Sequence, residues 1–430
     1  MKKIFGILLV LVVAFSACKD DDDDDAPTTG IIKGTVTDAA NNETLSDVSI
    51  MVFDATTNET IGETIMSGAD GMYSVTLDPG TYYLKLFKQG YNNNPPAGVP
   101  PLNISVSEGS ESVNDFKMQA SEVLDGGSLT GKVMLGSNGV QGAYVLVTSG
   151  TMGYSAVSDK DGHFFIYNVP AATYTLTAYK INHNATPLSV TVTADANTEG
   201  NVNLTEGAST SLSGTLTFLA TEGKDVNVNL LHPTTNEPIP GLVDMSENMS
   251  YSLSGIPDGD YLVKASFEND TYVVDPDWII KNGEPMLTAN GSAVVIDFSL
   301  TNAVTLNSPT NPMSTTVPIE IASTTPTFEW TSYSSSSDYV IEVSDANGNV
   351  IWGGINDGVD PPLKNITIPS STTSIAYNSD GMATIPNLEY DVVYRWKIYA
   401  SKNNVQEPSG WNLISVSEDQ MGLFIVKEQQ

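Results

Sequence analysis

Positive charge, cysteine, histidine and long apolar runs are all scarce in this chain, and each scarcity removes a class of function. Lys and Arg together number 18 against 51 Asp and Glu, a formal net charge of −33, and Arg395 is the single arginine. Nucleic-acid binding needs a basic patch that neutralises phosphates, and an anionic lipid surface repels an acidic body, so neither is expected as a partner of the folded part. Cys18 is the only cysteine, an odd thiol that calls for its own explanation. The 3 histidines, His163, His183 and His232, sit at turns or strand ends in no metal-ligand spacing, and they supply no base positioned beside a nucleophile. They are expected to be surface or turn residues. The apolar run Ile4 to Val13 is too short to span a bilayer.

What is present begins at the N-terminus. Met1-Lys2-Lys3 ahead of that apolar run forms a secretion signal. Ser16 and Ala17 before Cys18 resemble the lipobox of bacterial lipoproteins. The resemblance implies a signal peptide over 1–17, a lipidated acidic tether over 18–29, and Cys18 as the acylated anchor. Lys19 followed by Asp20, Asp21, Asp22, Asp23, Asp24 and Asp25 resembles the export signal of surface lipoproteins of one Gram-negative phylum. That implies a lipid-anchored place in the outer membrane, facing the extracellular side. The same aspartates also make a self-repelling spacer.

With 35 Gly, 23 Pro and little helical periodicity, the remainder is expected to be all-β, because apolar residues alternate in short runs bounded by turn residues. An internal repeat stands out. Gly34-Thr35-Val36, Gly131-Lys132-Val133 and Gly214-Thr215-Leu216 each open a strand, followed by Val48/Ile50/Val52, Val145/Val147 and Val226/Val228/Leu230. A hairpin comes next, Asp70-Gly71-Met72-Tyr73 and Asp161-Gly162-His163-Phe164, with Asn248-Met249-Ser250-Tyr251 as a degenerate copy. Then comes a tyrosine strand: Gly80-Thr81-Tyr82, Ala172-Thr173-Tyr174 and Gly259-Asp260-Tyr261. Residues two apart share a strand face, so these tyrosines and their followers are expected to line sandwich cores.

These elements resemble carboxypeptidase regulatory-like domains, small β-sandwiches with transthyretin-like topology. The resemblance covers 30–119 and 127–205 well and 211–304 in degenerate form. It implies nothing catalytic, since in the family's enzymes this module accompanies a separate peptidase domain. Over 305–430, Trp330, the Tyr394 and Trp396 pair and Ser409-Gly410-Trp411 resemble a fibronectin type III-like sandwich, with an unusual insertion from about Gly353 to Ser374. The fold class expected is therefore tandem β-sandwiches, three regulatory-like and one fibronectin type III-like.

Candidate chemistry is thin. Asp159-Lys160-Asp161-Gly162 opens like a calcium loop, but His163, Phe164 and Phe165 supply no ligands at the following positions, and a hairpin turn is the simpler reading. Asp275-Pro276-Asp277 is a second oxygen-rich spot. No metal and no cofactor are expected. Aromatic side chains outside the expected cores, Tyr91, Trp278 and Trp352, are the candidate glycan contacts. The expectation is a non-enzymatic, surface-anchored lipoprotein serving as spacer and interaction platform, with a polysaccharide or a cell-surface protein as partner. Four sandwiches in line would reach over roughly 100 Å. The alternative is a carbohydrate-binding lipoprotein of an outer-membrane glycan-uptake system.

Overall fold

The computed structural model describes residues 29–95, 101, 103–121, 126–219, 225–265, 271–311, 318–345, 348–390, 392–418 and 421–428. Cys18, Lys19 and Asp20 to Asp25 lie outside the described residues. Among the described residues the secondary structure is strand except for the helix Pro276–Asn282.

The internal repeat has a steric origin. The opening strands Gly30–Asp38, Gly127–Leu135 and Thr210–Phe218 each pair antiparallel with the hairpin strand on one side. On the other side each pairs parallel with two short segments of its repeat's closing stretch. Between those segments the closing backbone passes so near that a Cβ on Gly34, Gly131 or Gly214 would lie 1.8 Å from the carbonyl oxygen of Asn114, Gly200 or Ile296. Only glycine fits there. The same crossing is tied by the next side chain, since Asp115, Asn201 and Asp297 accept the backbone N–H of Thr35, Lys132 and Thr215, each at 2.8 Å.

The tyrosine strands behave as expected. Tyr82, Tyr174 and Tyr261 are buried with their alternate followers Leu84, Leu176 and Val263. Each phenol donates to the carbonyl four residues earlier, on Asp78 (3.0 Å), Pro170 (2.9 Å) and Pro257 (2.7 Å). Asp159 accepts the N–H groups of Asp161 and His163, and Gly162 has φ 85°, so that segment is the hairpin turn. The third repeat differs because its turn is shorter. Glu247 and Ser250 close a hairpin on each other's backbone, with Asn248 and Met249 both at positive φ (51° and 60°). That two-residue turn has the geometry that favours Asn-Gly or Asp-Gly, yet it carries Asn248 followed by Met249 in place of a glycine.

The second sheet of each repeat has one strand order: Thr60–Met66, Ser49–Asp54, Gly80–Phe87, Ile104–Val106 in the first. It recurs as Met152–Val157, Tyr144–Ser149, Ala172–Tyr179, Leu188–Val192, and as Pro238–Met245, Asn227–Leu231, Gly259–Ala265, Met286–Ala289. The second-listed strand of each sheet is buried on both faces. The inner face packs within its own sandwich. The outer face packs against the other repeats, in one apolar cluster holding Phe53 and Tyr83, Tyr144 and Tyr179, and Ile239. The first three sandwiches are therefore clustered, and the expectation of four in line is corrected: first and third touch directly, the Gly241 N–H donating to the Thr57 carbonyl at 2.8 Å.

The described residues from Val304 onward form a separate apolar core around Phe328, Trp330, Tyr339 and Trp396. This sandwich docks on the third. Asp275 caps the helix Pro276–Asn282 by accepting the N–H of Asp277, which accounts for the oxygen-rich Asp-Pro-Asp. Asp277 accepts the Leu413 N–H at 3.1 Å and Lys281 pairs with Glu407 at 2.8 Å, joining helix to fourth sandwich.

Candidate functional site

Two hairpin loops carry one sequence, Thr56-Thr57-Asn58-Glu59 and Thr234-Thr235-Asn236-Glu237. Asn58 and Asn236 take the left-handed conformation in both (φ 58° and 54°). Asp54 holds the first loop by accepting the N–H groups of Thr56 and Thr57. His232 stands at the same place in the second loop, and its Nδ1 accepts the Thr234 N–H at 3.2 Å. A ring nitrogen that accepts is unprotonated, so the imidazole is neutral with its hydrogen on Nε2.

The second loop enters the point where the three repeats meet. Glu237, from the third, takes Lys85 of the first at 3.1 Å through Oε1, and the Tyr144 hydroxyl of the second at 2.9 Å through Oε2. Ser155 of the second also donates to Oε2. Thr235 shares a 2.6 Å hydrogen bond with the Tyr144 hydroxyl, and Lys85 lies over the Phe53 ring at 5.6 Å. His232 is buried beside the rings of Tyr179 (5.5 Å) and Tyr144 (6.4 Å). The first loop makes a second tie, Glu59 to Lys180 of the second sandwich at 3.2 Å.

Burial pushes the Glu237 carboxyl up, but Lys85 and the Ser155 and Tyr144 hydroxyls outweigh it and hold the group below the ordinary range. Burial and the neighbouring Glu237 carboxylate raise the Tyr144 phenol far above its ordinary value. Burial brings His232 down to about 4, against the opposing pull of Glu237 and Asp260. Both Glu237 oxygens are occupied by donors from the two other sandwiches, so the cluster is a clamp in which the carboxylate is already committed. His232 corrects the expectation of a surface or turn histidine, because a turn position here is also an interface.

The candidate glycan contacts separate. Trp352 is corrected outright: it lies in the fourth sandwich's core at 2% exposure, with Nε1 donating to Asp380 at 2.8 Å. Tyr91 is half-buried, its hydroxyl on Asp38 at 2.8 Å and its carbonyl accepting from Asn168 of the second sandwich. Only Trp278 is well exposed, at 43%. It precedes Ile279, which with Val263, Pro276, Phe298 and Val416 lines a cleft of about 170 Å³ between the third and fourth sandwiches. The junction of the three repeats had not been anticipated, although the duplicated Thr-Thr-Asn-Glu loop was its signal.

Residues 31–119 and 128–205 match the sequence profile of the carboxypeptidase regulatory-like domain. No curated protein matches the chain. Among solved structures, the Bacillus anthracis TIE protein aligns at 14% identity and TM-score 0.18, over 64% of this chain and 51% of that one. This chain therefore spans about half of that protein. The major pilin subunit of Bacillus cereus aligns at 12% identity and TM-score 0.18, over 64% and 100% of the two chains. A leucine-rich repeat protein from Bacteroides thetaiotaomicron aligns at 17% identity and TM-score 0.25, over 41% and 26%. Scores this low carry no inference about function.

Proposed function

We propose that this is a non-enzymatic surface lipoprotein, held in the outer membrane by acylated Cys18 and exported by Lys19 and Asp20 to Asp25. In this reading its first three sandwiches form one rigid base that presents the fourth to a partner. The observation that carries the reading is the Glu237 clamp. A freely jointed string has no use for a mostly covered carboxylate shared among three repeats, whereas a presenting platform gains fixed geometry from it. The regulatory-like match adds support, since such modules accompany catalytic domains instead of performing catalysis.

Two measurements test the reading. Cys18→Ala is expected to release the protein from the membrane fraction, and replacing Asp20 to Asp25 by Asn to remove it from the protease-accessible surface. Small-angle scattering of the full chain is expected to give a compact base. A profile of four beads in a row sinks the platform. A second reading, glycan capture for uptake, is favoured by Trp278 standing exposed next to the interdomain cleft. It predicts saturable polysaccharide binding that Trp278→Ala weakens.

A further inference from the structure

The three repeats can be compared residue for residue, because their hairpin strands take one register against the opening strand: Tyr73 opposite Gly34, Phe164 opposite Gly131, Tyr251 opposite Gly214. The flanking residues that point outward are then equivalent. They are Met72, Ser74 and Thr76 in the first repeat, and Ser250, Ser252 and Ser254 in the third. In the second they are His163, Phe165 and Tyr167. At the place of Phe165 the other two repeats carry Ser74 and Ser252, so an exposed phenyl ring there answers to something other than the fold, while Tyr167, which also packs against the core shared by the repeats, holds a second ring beside it.

We infer that this outward face of the second sandwich is a stacking site for an uncharged polysaccharide. Phe165 is 42% exposed, and its ring lies nearly parallel to that of Tyr167, with 16° between planes and 6.5 Å between centroids. Tyr167 is half-buried, packed against the apolar core shared by the three repeats, which fixes the ring. Two nearly parallel rings on one sheet face suit the C–H faces of pyranose units. On the same face, the Ser128 hydroxyl donates to Asn197 Oδ1 at 3.0 Å and the Asn197 amide donates to the Thr130 hydroxyl at 2.9 Å. Thr130 lies directly opposite Phe165. These hydroxyl and amide groups, with the exposed Glu199 beside Thr130 and Lys132 beside His163 on the same face, suit sugar hydroxyls as donors and acceptors.

Charge selects the occupant further. A chain with a net charge of −33 repels anionic polymers and a second copy of itself, while a cationic protein is drawn to the whole surface without preference for this face. A neutral glycan is the ligand for which the aromatic pair alone decides. This inference rests on the glycan reading and places its main contact on the second sandwich instead of at Trp278.

Calorimetric titration of the full chain with cellohexaose, maltohexaose, xylohexaose and mannohexaose tests it. At least one hexaose is expected to bind, with affinity falling roughly tenfold or more in Phe165→Ser, the third repeat's own residue. Phe165→Tyr retains affinity, and the loss in Phe165→Ser exceeds any loss in Trp278→Ala. Binding that survives Phe165→Ser, or that only Trp278→Ala removes, overturns the stacking site and leaves glycan capture standing. If none of the four probes binds, both fall. A thermal melt of each variant separates a lost contact from a lost fold.

Discussion

At the scale of a residue, one device repeated in all three regulatory-like repeats is a phenol bonded to the carbonyl four positions back. Its worth varies with burial. Tyr261 is fully buried, and its hydroxyl has Pro257 as acceptor at 2.7 Å. Tyr261→Phe leaves that carbonyl short of a donor and is expected to cost roughly 1 to 2 kcal/mol. Tyr82→Phe, at 7% exposure and a longer 3.0 Å bond, should cost less. Hydrogen exchange within each sandwich reads the two separately, which a global melt of several domains does not. Equal costs in the two repeats would contradict the burial argument. These tyrosines were legible in the sequence because position on an alternating strand is local information. Trp352 was misjudged for the complementary reason: it stands just before the insertion that begins near Gly353 and was placed outside the cores, yet Ile351 and Trp352 both lie in the core, and the partner that satisfies the indole, Asp380, comes from a distant loop.

At the scale of elements, the strands and turns were legible and their outer faces were not. Val48, Ile50 and Val52 were noticed as an alternating set, but Met51 and Phe53 fill the intervening positions, and a strand apolar on both sides needs cover on both. That continuous run was the sign of clustering. The degenerate third hairpin makes a sharper case, since its two-residue turn places Met249 at φ 60° with its side chain exposed. Met249→Gly removes the steric cost of the left-handed conformation and is expected to raise the third sandwich's stability by about 0.5 to 1 kcal/mol. A fall in stability would mean that the methionine packs on something. The insertion in the fourth sandwich has its own fastening: Lys364 reaches Asp338 and Ser401, each at 2.6 Å, beneath the Trp411 ring at 4.6 Å. Lys364→Ala strands a buried carboxylate and is expected to cost roughly 3 kcal/mol, whereas Lys364→Met combined with Asp338→Leu should recover most of it. Urea unfolding followed by tryptophan fluorescence checks both variants.

At the scale of the whole molecule, the clamp makes the clustering of the three repeats depend on acidity, and the sign follows from its parts. His232 is neutral in the docked state, where burial lowers it from 6.5 to about 4. Released into water it regains the ordinary value. Docking therefore keeps its full contribution above about pH 6.5 and loses it progressively as the pH falls toward 4, a difference on the order of 3 kcal/mol. The groups facing the imidazole are Glu237 and Asp260 from its own sandwich, the Tyr144 and Tyr179 phenols from the second, and Lys85 of the first through its pair with Glu237. Of these, Glu237 also sits below its ordinary value, so its contribution is lost at still lower pH and acts in the same direction. Acid should thus loosen the third sandwich from the first two before any sandwich unfolds. Spin labels on exposed positions of the first and third sandwiches would report a widening distance distribution between pH 6.5 and 4. His232→Gln, which keeps a hydrogen-bonding side chain but takes up no proton, should flatten that response and leave only the later step that belongs to Glu237. If wild type and His232→Gln open together, the acid sensitivity lies in the carboxylates alone, and the histidine is a turn cap that happens to be buried.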